Sequence, residues 1–181
     1  ISTEGEATLI RSVISENDAI FGGGVNIEGG VLTLSESSVD GNTTGGGIST
    51  WGGTVVLNRT TVSNNESNGN GAGIANHGDA RLSLTNTTIS GNTSTTLGGG
   101  IDHGGVGTLT IVSSTIANNT ASEFDAIHGS SVSWTNSLVQ GDCSSPSSES
   151  RGHNIESPGD TCGLDQPTDR PNVTSMELSL G

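Results

Sequence analysis

Apolar and polar residues alternate along this chain in short runs, and the runs recur at a nearly fixed interval. Aligned on a branched apolar residue, six copies appear at Ile14, Val39, Val62, Ile89, Ile116 and Val139, spaced by 25, 23, 27, 27 and 23 residues. Five residues before each stands Leu9, Leu34, Leu57, Leu84, Ile111 or Trp134, and two residues earlier Ala7, Leu32, Val55, Leu82, Leu109 or Val132. Every second residue being apolar marks a strand with one buried face. Only hydroxyl residues occupy the place two before the key position: Ser12, Ser37, Thr60, Thr87, Ser114 and Ser137. Three residues after it come Asn17, Asn42, Asn65, Asn92, Asn119 and finally Asp142. A glycine phrase keeps step, ending at Val25, Ile48, Ile74 and Ile101, with the divergent DAI ending at Ile127.

A period near 25 residues with strand signals and no helical stripe predicts a solenoid in which each repeat is one coil. The expected fold is all-β, a right-handed parallel β-helix of about six coils over residues 1–142, with an irregular segment over 143–181. Equivalent residues then stack about 4.8 Å apart as physical columns. The Ile/Val and Leu columns fill the interior. The Asn column, Asn17, Asn42, Asn65, Asn92 and Asn119, is expected to form a hydrogen-bonded ladder at a corner, since Asn bridges backbone groups that a turn leaves unpaired. The glycines allow close approach of successive corners.

Composition narrows the setting. The net charge is −14, with five arginines and no lysine, so a nucleic-acid partner or an anionic membrane surface is excluded for want of a basic face. No apolar run is long enough to span a membrane. Cys143 and Cys162 fall in the irregular region, where a cross-link closing a loop would help most. A disulfide in an oxidising compartment is the preferred reading, two free thiols the alternative.

Candidate chemistry is sparse. Arg11, Glu36 and Arg59 share one column and read as a surface charge ladder. His77, His103 and His128 follow the glycine corner by three, two and one residues, which reads as a slipping register on a solvated edge rather than a metal site, and His153 stands alone in the tail. Trp51 reads as exposed and Phe21 and Phe124 as packing contacts. Asp18, Asp40, Asp102 and Asp125 could assist calcium but lack any calcium-binding spacing, so no cofactor, metal or catalytic residue is assigned. Sequons at Asn42, Asn58, Asn65, Asn86, Asn92, Asn118 and Asn172 are candidate glycan acceptors, although a glycan on Asn42, Asn65 or Asn92 would compete with the ladder.

The GG[GA]I and [IV]xxN phrases together resemble the repeats of polymorphic outer membrane proteins and related bacterial right-handed β-helix proteins. The tail, NSLVQGDC followed by RGHNIESPGDTCGLD, is similar to the closing segment of large bacterial secreted β-helix proteins, with Cys143, Gly152, Asn154 and Cys162 in the matching places. The resemblance implies an extracellular or cell-surface protein whose residues 143–181 leave the coil and lie on or beside its last turn, with MELSLG as a final strand.

Two functions follow as expectations. The first is a non-catalytic surface or structural β-helix, serving in adhesion or a matrix. Because the chain enters the repeat almost at once, its ends are expected to stack head to tail into a filament, unless it continues a longer chain. The second is a carbohydrate-active enzyme or polysaccharide-binding module.

Overall fold

The computed structural model describes residues 1–144 and 147–174. It is a parallel β-solenoid of stacked coils, without a helix among the described residues. Three seven-stranded sheets run its length, each built by one strand from every coil. The first sheet contains Val25–Ile27, Ile48–Thr50, Ile74–Asn76, Ile101–His103 and Ile127–Gly129. The second contains Val31–Ser35, Thr54–Asn58, Arg81–Thr85 and Thr108–Val112, and the third Ser38–Asp40, Thr61–Ser63, Thr88–Ser90 and Thr115–Ala117.

The columns stack in the register read from the sequence. Leu34, Leu57, Leu84 and Ile111 are direct partners in the second sheet, and Val39, Val62, Ile89 and Ile116 in the third. All eight are fully buried. Each contributes about 1.5–3 kcal/mol by leaving water. A coil this narrow has room for only one or two such side chains per wall, which is why the chain manages with so few large residues.

Polar groups define the corners. Between the second and third sheets one residue per coil adopts a left-handed conformation: Arg11, Glu36, Arg59, Asn86, Ser113 and Asn136, with φ between 47° and 52°. The supposed charge ladder is thus a corner column, in which the Arg59 guanidinium meets Glu36 at 2.8 Å on the exposed surface. Such a pair adds about 0–1 kcal/mol. The next corner carries the Asn ladder. The backbone N–H groups of Asn17, Asn42, Asn65 and Asn92 donate to the side-chain oxygens of Asn42, Asn65, Asn92 and Asn119 at 3.0–3.1 Å. Each donor's side-chain amide reaches the same oxygen at 2.8–2.9 Å. Asn42, Asn65, Asn92 and Asn119 also donate back to the carbonyls of Ile14, Val39, Val62 and Ile89. At the glycine corner a Cβ on Gly73 would lie 2.4 Å from the Gly100 carbonyl oxygen, so only glycine fits.

The ladder revises the glycan candidates. Asn42, Asn65 and Asn92 have no exposed surface and both amide atoms are engaged, so the folded chain does not offer them as acceptors. Asn86, Asn118 and Asn172 are exposed and Asn58 is half-buried.

The boundary at residue 142 also moves. Winding continues through Cys143–Ser144, Glu149–Ser150 and Ile155–Ser157, which add one further strand to each sheet. This last coil is short and lacks the glycine phrase. Asn154 replaces the hydroxyl of its column, accepting from the Ser137 N–H at 2.9 Å, and Glu156 stands beside Val139. The Glu156 carboxylate is fully buried and receives the backbone N–H and hydroxyl of Thr161 at 2.6 and 2.9 Å. It thereby holds the chain next to Cys162, whose disulfide to Cys143 spans 19 residues. A loop of that length corresponds to about 3 kcal/mol of stabilisation.

The tail then covers the C-terminal end. Arg170 and Val173 pair with the edge strand at Asn154 and Glu156, and Cys162, Leu164 and Val173 are buried. Burial pushes the Asp169 carboxyl up, but hydrogen bonds from the Ser150 hydroxyl, the Asn154 and Gln166 backbone and the Asn154 side chain outweigh it and hold the pKa below the ordinary value. The expected closing strand at Met176–Gly181 lies outside the described residues.

Replacing Asn65 by Ala removes one rung and leaves the Asn42 donors without their acceptor. Urea unfolding is expected to show a loss of about 2–3 kcal/mol, whereas Asn68→Ala on the exposed loop is expected to cost almost nothing.

Candidate functional site

Within each coil, the first-sheet strand follows the glycine corner, and alternate residues face opposite ways. Counting from the branched apolar residue, an offset of two points inward, while offsets of one and three point outward. His103, at an offset of two, is therefore an interior residue with no exposed surface. The register pairs Ala75 with Asp102 and Asp102 with His128, all at an offset of one. His77, at three, shares their outer face.

The solvated edge expected of these histidines is corrected accordingly. Asp102 is buried beneath two imidazoles, its side chain 1% exposed. His128 Nδ1 lies 2.5 Å from one carboxylate oxygen, and His77 Nε2 lies 3.4 Å from the other. An ionised carboxylate only accepts, so His128 carries its proton on Nδ1 and donates it to Asp102. Each imidazole is backed by an aromatic ring: Trp51 stacks on His77 at 4.9 Å and Phe124 on His128 at 5.4 Å. The result is a line of rings, Trp51, His77, His128 and Phe124, about a carboxylate at its centre. From the rung of Trp51 to that of His128 is three steps, about 14 Å along the solenoid axis.

Phe124 is held there at a conformational cost. Its φ is +60°, in the place that Gly22, Gly71 and Gly98 occupy in other coils. For a bulky residue this conformation costs about 1–2 kcal/mol. The stack on His128 and the hydrogen bond from Ala121 N–H to Asp125 at 2.7 Å hold the segment in place. Strain of this kind collects where a side chain has a task other than stability.

Beside Trp51 and His77 opens a groove of about 620 Å³. Phe21 and Trp51 reach it with 63% and 57% of their surface exposed. Phe21, expected to be a packing contact, is thus a groove residue. Asn68, Asn70 and Thr96 line the other side, and the Thr96 hydroxyl donates to the Asn70 side-chain oxygen, fixing that amide.

The interior bears polar groups of its own. Thr50, Asn76 and His103 lie one above another in successive strands of the first sheet, all fully buried. The Asn76 amide lies 2.7 Å from His103 Nδ1, which must accept, so the imidazole is neutral. Burial lowers the His103 pKa, outweighing hydrogen bonds to Gly107 and Asn76 and the charge of Asp102, which raise it.

The four candidate calcium carboxylates do not converge. Asp18 lies in the strand Asp18–Ala19, Asp40 accepts from Ser63 and Asn64 at the third sheet, and Asp125 accepts from Ala121. Among the described residues no group of three or more His, Cys, Asp or Glu side chains is placed to hold a metal ion. His153 is exposed in the tail.

Compared with family models, with curated proteins and with solved structures, the chain matches none of them. The fold therefore defines a class, the parallel β-solenoid, and the likeness to outer membrane protein repeats rests on the motifs alone.

Two outcomes are expected. A buried neutral histidine contributes stability that is fully present above its unfolded pKa of 6.5 and is lost as the pH falls toward its lowered folded value, because only the unfolded chain takes the proton readily. Unfolding free energy measured from pH 7.5 to 5 is expected to fall less steeply in His103→Leu than in the native chain. Asp102→Ala removes the carboxylate that lies 3.4 Å from His77 Nε2, beside the Trp51 ring. Acrylamide quenching of the exposed tryptophan component is expected to rise, while the emission of buried Trp134 stays unchanged.

Proposed function

We propose that this chain is a non-catalytic β-solenoid of the extracellular or cell-surface space that holds a polysaccharide along the outer face of its first sheet. The observation that carries this reading is the exposure of Phe21 and Trp51 on one groove. Sugar rings present apolar C–H faces to aromatic rings and hydroxyls to amide and hydroxyl groups, and the groove supplies both kinds of partner. A solenoid wall suits a linear polymer because its successive rungs repeat the same spacing. The disulfide supports an oxidising compartment.

Two other readings remain distinguishable. End-to-end stacking into a filament would need both ends open, and the tail through Val173 lies across the C-terminal end. A carbohydrate-active enzyme would use Asp102 and its imidazoles as acid and base groups, and would release reducing ends from the bound polymer.

Binding is expected to change the emission of Trp51, the exposed member of the two tryptophans. Trp51→Ala is expected to weaken retention in affinity electrophoresis about tenfold, with no change in the unfolding midpoint. Equal retention of the variant by every polysaccharide tried would contradict the proposal.

A further inference from the structure

We infer that the groove takes an uncharged polysaccharide and rejects polyanionic ones. This rests on the polysaccharide-binding reading and adds the chemical class of its ligand.

The inference comes from where the charges lie. The residues lining the groove are apolar, hydroxyl or amide residues, with His77 as the one titratable side chain among them. His77 turns Nε2 toward the Asp102 carboxylate, so any charge it gains is balanced at 3.4 Å. Next to the groove, Phe21 and Trp51 also line a second hollow, and its remaining lining residues are Asn26 and Glu28. Glu28 is exposed and accepts from the Asn26 amide at 3.2 Å. A carboxylate therefore stands beside both aromatic platforms. The Asp79 carboxylate lies close to Gly52, the residue after Trp51 in the chain.

None of the five arginines lines the groove. Arg59 faces Glu36 and Arg151 lies by Glu149, Arg11 is at the corner between the second and third sheets, Arg81 begins a strand of the second sheet, and Arg170 is in the tail. A uronate or sulfated chain laid across Phe21 and Trp51 would bring its charges to Glu28 with no guanidinium among the lining residues to meet them. It would also approach a molecule of net charge −14. An uncharged chain meets neither obstacle. Its hydroxyls find Asn68, Asn70 and Thr96, and its ring faces find the aromatics.

The test is isothermal titration of the intact chain with a panel of neutral oligosaccharides, β-linked glucan, mannan, xylan and N-acetylglucosamine types. Each is compared with its carboxymethylated derivative at 20 and 300 mM salt. The expected result is at least a tenfold preference for one neutral oligosaccharide over its derivative, narrowing at high salt as the charges are screened. Glu28→Arg, a change at an exposed position, is expected to narrow or reverse that preference while binding of the neutral sugar persists.

Equal or tighter binding of the carboxymethylated form overturns the inference and leaves the polysaccharide-binding reading standing. Tighter binding of a deacetylated amino polymer than of its neutral parent also overturns it, making Glu28 a recognition group for cations. If no oligosaccharide binds, or if sedimentation shows Trp51-dependent pairing of two copies instead, both readings fall.

Discussion

Vertical register is the constraint on which the rest of this structure depends, and the Asn ladder enforces it. The oxygens of Asn42, Asn65, Asn92 and Asn119 each receive both a backbone N–H and a side-chain amide from the neighbouring coil, and the amides of the same four return a bond to an inner carbonyl. These groups are buried, so a coil that slipped by one residue would leave several donors unpaired in a dry interior, at about 1–3 kcal/mol apiece. A slip would also exchange the two faces of every strand. Hydrophobic burial drives the chain to compact. The ladder decides which residue lies above which.

Once register is fixed, every place in the repeat becomes a column, and a substitution in one coil acquires neighbours above and below. Structural columns repeat the same residue type because each rung poses the same problem. A column that changes its residue type from rung to rung escapes that requirement, and the outer face of the first sheet does so. Asn26, Ser49, Ala75, Asp102 and His128 succeed one another there. Rigid backbone spacing then places Asp102 within reach of two imidazoles from adjacent coils. Neither hydrogen bonding nor packing of the solenoid itself demands a carboxylate beneath two histidines, each backed by an aromatic ring.

Much of the fold was legible in the sequence because a repeated column is its own control. The alternation of Leu32, Leu34 and their equivalents and the Asn at each corner stand where the periodicity places them. The last coil was not legible. It replaces a corner hydroxyl by Asn154, an inner Val by the buried Glu156, and omits the glycine phrase, so alignment on apolar residues stops at Val139. The site was hidden for another reason. Offsets of three and one for His77 and His128 looked like a slipping register, yet both are odd, and odd offsets share one face of a strand. Parity was the available signal, and it also separates His103 from the others. The strained Phe124 was visible only as a departure from GGGI, and its φ had to be seen in three dimensions.

The most direct measurement of the claim that columns set this structure is hydrogen exchange of individual side-chain amides, followed by nuclear magnetic resonance. The account predicts that the Nδ2 protons of Asn42, Asn65 and Asn92 exchange only on global unfolding, with protection equal to that of the inner strands, while those of the exposed Asn68 exchange at the rate of a free amide. Rapid exchange at all three ladder positions in the folded protein would contradict it.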